Sequence, residues 1–267
     1  MSGHEPQEQS RLSELDLALV DQLKNQSNHS DRQQSRMISR VLSPAVKLWL
    51  RSQLDHVEEL EIEIEAGDRQ LLSGSLPQVI ASASKAIYKG LHFSHVRVMA
   101  QAIQTNLGQV LRGKPFRLMV SFPVSGTVTL SEADLNTSLY APLLGNAVSD
   151  FLLGLLQGKI AGGSGETTAE LQNIQVNLQA GGMTFNATLV QDDHHYPLTV
   201  RTQLALEGGD RLQLSQFDCQ LKGEEPNILA NLPTSFTVDL GSEVCLEALT
   251  IDPQKIMCRG SITVNPA

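Results

Sequence analysis

Apolar and polar residues alternate with a period of two along most of this chain. Leu60, Ile62, Ile64 and Ala66 are interleaved with Glu61, Glu63 and Glu65, which predicts a strand with one buried face and a ladder of carboxylates toward water. The rhythm recurs at Val79, Ala81 and Ala83 leading into Ile87, at Val96–Val98–Ala100, at Ile103–Thr105–Leu107 and at Val124–Gly126–Val128–Leu130. Later strands are predicted at Ile174–Leu178, Met183–Leu189, Leu198–Leu206, Leu212–Leu214, Phe236–Leu240 and Ile256–Val264. Gly181-Gly182 and Gly208-Gly209-Asp210 read as hairpin turns. One-sided strands joined this way form an antiparallel sheet with one wet face, and no βαβ crossover is suggested.

Helical spacing interrupts the alternation three times. Ser43-Pro44 supplies a hydroxyl N-cap followed by proline at the first helical position, predicting a helix to about His56. Ser131-Glu132-Ala133-Asp134 is a capping-box variant that opens a second helix. Its apolar stripe runs through Leu135, Leu139, Leu143, Leu144, Val148, Phe151, Leu152 and Leu155, with a kink or restart expected at Pro142. Leu12, Leu15, Leu19 and Leu23 form a short amphipathic pattern between the polar stretches 1–10 and 25–35, which read as disordered. The expected organisation is a flexible N-terminal segment over 1–35 and one domain over 36–267. The helix within 11–24 either folds onto that domain or hooks a partner. Its acidic face, with Glu14, Asp16 and Asp21, disfavours an anionic membrane.

Charge divides the chain. The net charge is −9, yet residues 36–117 carry 11 basic and 7 acidic side chains, and no Asp or Glu occurs between Arg69 and Arg117. Residues 118–267 hold 6 basic and 16 acidic side chains. Such asymmetry points to an anionic partner: a membrane surface, a nucleic acid or an acidic protein. Nucleic acid is the poorest fit. Aromatic residues make up only 4% of the chain, too few for base-stacking platforms, and no nucleic-acid-binding motif is present.

Catalytic and metal chemistry find little support. There is no Gly-x-Ser-x-Gly, and Cys219, Cys245 and Cys258 lack metal-ligand spacing and read as reduced or core thiols. His194-His195 beside Asp192-Asp193 has some metal-ligand flavour, but consecutive extended residues face opposite ways, which favours a surface turn. Gly162-Gly163-Ser164-Gly165 lacks the Gly-Lys-Ser/Thr ending of a phosphate loop. The expectation is no enzyme, no cofactor and no metal. The N-terminus MSGHEPQEQS has neither the basic nor the apolar part of a signal peptide, and the apolar run from Leu143 to Leu156 is broken by polar residues. These features suggest a cytoplasmic protein whose membrane contact, if any, is peripheral.

The run Glu63-Ile64-Glu65-Ala66-Gly67-Asp68-Arg69-Gln70-Leu71-Leu72-Ser73-Gly74 and the later Leu130-Ser131-Glu132-Ala133-Asp134-Leu135-Asn136 are distinctive, as are Asn106-Leu107-Gly108 and Leu111-Arg112-Gly113-Lys114-Pro115 between them. Together they resemble the bacterial LmeA-like phospholipid-binding family, most nearly its branch in photosynthetic bacteria, over about residues 36–265. The resemblance implies an α+β fold of the tubular lipid-binding kind: a long, strongly curved antiparallel sheet rolled around helices, leaving an apolar groove. It also implies phospholipid as the partner. Acyl chains are then expected against Leu139, Leu143, Leu144, Val148, Phe151, Leu152 and Leu155, with Lys85, Lys89, Arg112, Lys114 and Arg117 on a rim meeting head groups or an anionic membrane surface. Taken as residues alone, the stripe reads sooner as packed core and the cations as a scattered set; the resemblance brings the two readings level. The alternative function is a ligand-free scaffold or adaptor binding protein through the N-terminal helix or a sheet edge.

Overall fold

A computed structural model of the chain describes residues 46–65, 70, 73–106, 109, 113–114, 116–156, 169–191, 194–222 and 232–266. The N-terminal segment with its helix at 11–24, the opening at Ser43-Pro44, Arg112, the loop Gly162–Gly165 and Asp192-Asp193 lie outside the described residues.

A helical stretch at 46–52 leads into β1 (His56–Glu65), β2 (Ser75–Tyr88), β3 (Leu91–Gln104) and β4 (Phe122–Ser131). Two helices follow, α1 (Glu132–Ser138) and α2 (Pro142–Leu156). Then come β5 (Glu170–Gln179), β6 (Gly182–Gln191), β7 (His194–Glu207), β8 (Arg211–Leu221) and β9 (Ser235–Asp239), and last β10 (Val244–Asp252) and β11 (Lys255–Val264).

The α+β class and the antiparallel construction are as expected, but the strands divide between two sheets. One has the order β1-β2-β3-β4-β11-β10, the other β5-β6-β7-β8-β9. The chain thus builds four strands of the first sheet, all five of the second, and returns to finish the first beside β4. Neither sheet closes into a barrel. β10 has no counterpart in the sequence pattern because a bulge between Leu246 and Ala248 breaks its alternation. Ala102, at φ 53°, similarly shifts the phase within β3, so that Ala100 and Ile103 are both buried.

The restart expected at Pro142 is a sharp corner: the axes of α1 and α2 meet at 90°. No single helix among the described residues is long and apolar enough to cross a membrane. The far half of α2 carries Phe151, Leu152, Leu155 and Leu156 into the main core, among inward residues of β5–β8 and Ile251 and Ile256 of the first sheet. Full burial of each such side chain contributes about 1.5–3 kcal/mol. Phe151 is the aromatic hub, with ring centroids 5.7, 5.9 and 5.0 Å from Phe185, Phe217 and Phe236.

The sheets are also joined at their edges. β10 is an edge strand, yet the Gly181 N–H donates to Ile251 O at 3.0 Å and the Leu246 N–H to Gly209 O at 2.7 Å. Two hairpin turns of the second sheet therefore cover an edge that would otherwise offer unpaired backbone groups. Gly209, at φ +95°, makes the approach possible, since a Cβ there would sit 3.2 Å from Leu246 O.

Candidate functional site

Strand register assembles an apolar surface that no single segment reveals. Across the six-stranded sheet, Leu60, Ala83, Val96, Val128, Cys258 and Leu249 fall in one row. Ile62, Ala81, Val98, Gly126, Gly260 and Leu246 form the next, and Ile64, Val79, Ala100, Val124, Ile262 and Val244 the third. Alternation puts all three rows on one side.

Packing covers the ends of this face more fully than its middle. Leu50 and Leu54 lie against Val57, Leu60 and Ala86, and the Trp49 ring meets Phe116 in a tilted pair with centroids 5.4 Å apart; Phe116 packs against Leu76, Val79, Ala100, Ile103 and Phe122. Ala81, Val96, Val98, Val128 and Leu246 are half-buried and belong to none of the buried clusters among the described residues. The floor there is made of small residues and of two facing glycines with no side chain at all.

The opposite side of the sheet is polar. Arg97 and Arg259 flank Thr127 in register, and Ser82, Ser84 and Thr129 continue the wet surface. Two solvent-open depressions of about 220 and 500 Å³ lie along it, lined by residues such as Glu61, His95, Arg97, Thr127, Met99 and Arg259. Both are lined by a mixture of charged and apolar residues, Val98, Gly126 and Gly260 among them in the larger. Arg259 is tied to Glu247 at 3.3 Å.

The apolar helix stripe is graded rather than uniform. Phe151, Leu152 and Leu155 are buried core residues. Leu139 and Val148 pack at the margin of that core, Leu144 is half-buried, and Leu143 is 55% exposed.

The basic residues are not brought to one rim. Lys85 and Lys89 sit at the turn joining β2 to β3, whereas Thr105 pairs with Leu118 and the Arg117 N–H donates to Asn106 Oδ1 at the other end of the hairpin. β3 is 14 residues long, so roughly 40 Å of strand separates the two groups. Lys85 is also neutralised locally: its Nζ is 2.7 Å from Glu58 Oε2. The hydrogen bond with Glu58, then its charge, raises the Lys85 pKa and lowers that of Glu58. Lys89 Nζ lies 5.3 Å from the centroid of the Tyr88 ring. Lys114 and Arg117 are exposed, with no ion pair to another described residue.

The segment Ser131–Asn136 proves to be a joint between the sheets. Ser131 and Asp134 form a reciprocal capping box at the start of α1, and Ser94 of β3 donates to the same Asp134 carboxylate. Burial acts to raise the Asp134 pKa, but the hydrogen bonds from Ser94 and Ser131 outweigh it and hold the group below its ordinary value. Asn136 pairs with the β5 backbone as another strand would, accepting from Val176 N–H at 2.8 Å and donating to Val176 O at 2.7 Å. Glu132 accepts from Leu178 N–H at 2.7 Å. These polar residues complete the edge of β5; they are structural.

Cys219 is buried, Cys258 half-buried on the apolar face and Cys245 exposed; none is bonded to another. Cys245 is thus a free thiol at the surface rather than in the core. His194 and His195 are both exposed, and among the described residues no three His, Cys, Asp or Glu side chains converge on a common point. Ala81, Val98, Gly126 and Gly260 were not singled out by the helix stripe, although the two glycines occupy apolar-phase positions in their strands, which is the available signal. A family model described as LmeA-like phospholipid-binding matches residues 34–261. Nothing among the curated proteins or the solved structures matches the chain.

Proposed function

The chain belongs to the LmeA-like phospholipid-binding family, and from that premise we propose that it holds a phospholipid with its acyl chains along the apolar face of the six-stranded sheet. The observation that carries this reading is the middle of that face: Ala81, Val98, Gly126, Gly260 and Leu246 in one row, half-buried and outside every buried cluster among the described residues. A row of small apolar groups is matched by a hydrocarbon chain, which needs area and no hydrogen bonds.

The helix residues keep a part in this proposal. Leu139, Leu143, Leu144 and Val148 offer apolar surface at the outer end of α2, while Phe151, Leu152 and Leu155 anchor that helix in the core. Lys114 and Arg117, and Arg112 near them in sequence, are the cations proposed for an anionic head group or membrane surface, because no carboxylate is paired with the two that are described. Lys89 is proposed to meet head groups at the other end, with Lys85 the weakest of the set because of Glu58. Lipid transfer at the surface of a membrane, from the cytoplasmic side, is the mode proposed.

The test is extraction of the purified protein with organic solvent followed by mass spectrometry, for the wild type and for Ala81→Phe and Val98→Phe. Phospholipid near one per protein in the wild type, reduced in the filled variants while circular dichroism is unchanged, supports the proposal. A wild type free of lipid that also takes none up from vesicles refutes it.

A further inference from the structure

The α1–α2 corner stands out because it exposes apolar surface in a segment with no charge. Tyr140 is 92% exposed, Leu143 55% and Tyr88 43%. From Leu135 to Ser149 there is no Asp, Glu, Lys or Arg.

The corner and the β2–β3 turn are one surface. A Cβ on Gly90 would collide with the Cβ of Ala141, and the His92 N–H donates to Ser138 Oγ at 2.8 Å. Tyr88 and Lys89 on one segment therefore lie beside Tyr140 and Leu143 on the other. Asp55, an exposed carboxylate beside the same turn, accepts from the Gly90 N–H at 2.8 Å.

Backbone chemistry suits the corner to a medium poor in water. The amides of Leu139, Tyr140, Ala141 and Gly145 all donate within the corner, to Leu135 O, Thr137 O, Ser138 O and Ala141 O. Pro142, first in α2, has no N–H to leave unpaired. A segment entering lipid must satisfy its own backbone; these four amides are satisfied, while those of Leu143 and Leu144 in the first turn of α2 have no backbone acceptor among the described residues, which suits the head-group layer rather than the hydrocarbon core. Two tyrosines place apolar rings with polar tips where a bilayer changes from head group to hydrocarbon, and Lys89 can bury its stem while its ammonium stays wet. The apolar stripe of α2 then grades from exposed Leu143 through half-buried Leu144 and Val148 to buried Phe151 and Leu152.

We infer that this corner, with Tyr140, Leu143, Tyr88 and Lys89, is the part of the protein that enters the interface of a phospholipid bilayer. The inference rests on the lipid-binding reading above and adds where the protein meets the membrane and by what force. Because one lysine accompanies the apolar groups, salt should weaken binding by no more than about fivefold. Docking through Lys114 and Arg117 would instead be strongly salt-dependent.

The experiment is flotation of the full chain with vesicles of phosphatidylcholine containing a minority of phosphatidylglycerol, at low and high salt. Tyr140→Ser/Leu143→Ser is compared with Met119→Ser/Val120→Ser, whose side chains are 55% and 53% exposed at the opposite end of the hairpin. The corner variant is expected to lose about tenfold or more in partitioning, and the opposite variant little. In a Cys245→Ser background, a polarity-sensitive dye on Leu143→Cys should shift to the blue on adding vesicles. Unchanged flotation of the corner variant, loss confined to the Met119/Val120 variant, or a dye that does not respond would overturn the inference. Co-purified lipid is measured on the same preparations, so lipid retained by a corner variant that still floats leaves the bound-lipid reading intact and removes only the corner.

Discussion

Gly126 of β4 and Gly260 of β11 face each other across the ladder at the centre of the apolar face, and neither has room for a side chain. A Cβ on Gly126 would lie 2.8 Å from Val98 Cα, and one on Gly260 2.7 Å from Leu246 Cα. Glycine within a strand marks close backbone approach, here on both flanks of the pair. The same two residues that let the strands crowd together leave the floor of the proposed lipid surface without side chains.

Gly260→Ala should therefore destabilise the fold by about 1–3 kcal/mol, since backbone rather than a movable side chain must yield. Chemical denaturation checks this, and a midpoint equal to wild type would show that the strands can separate at no cost.

Asn136→Ala removes both side-chain hydrogen bonds to Val176. A buried backbone group left without a partner costs about 1–3 kcal/mol. The expected signature is faster hydrogen exchange at the Val176 amide, with Asn136→Asp restoring its acceptor but not the donor to Val176 O, so that exchange slows again while stability stays below wild type.

Asp134 gives stability a defined pH dependence. Its folded pKa is lowered, so its contribution is complete above the pKa of the unfolded chain and is lost as pH falls through the folded value. Asp134→Asn should be less stable than wild type near neutrality and show a smaller loss on acidification. A wild-type difference in stability that does not narrow in acid would contradict the role given to Ser94 and Ser131.

The thiols should react in the order of their surroundings. Cys245 is exposed, Cys258 half-buried with burial raising its pKa, and Cys219 buried. A thiolate is the reactive form, so a thiol reagent should modify Cys245 first and Cys258 slowly. Mass spectrometry of the early product shows which site carries the label.

Much of the fold was legible because its signals are local. Alternation located most of the strands, Gly181-Gly182 and Gly208-Gly209 marked their turns, and Ser131 with Pro142 marked the helix starts. β10 escaped because its bulge interrupts the period that announces a strand. Lys85 and Arg117 looked like neighbours because both fall in one acid-free stretch, yet a long hairpin holds them at opposite ends.

The sequence by itself determined which residues share a face wherever alternation is unbroken, since a period of two sends successive side chains to opposite sides of a strand. It also carried the motifs that identify the family. Which strand lies beside which, and so the division into two sheets, the Gly126–Gly260 pairing and the joining of Gly90 to the Tyr140 corner, was decided only in the tertiary structure. Those contacts link positions far apart in the chain, and alternation is the same whichever partner a strand takes.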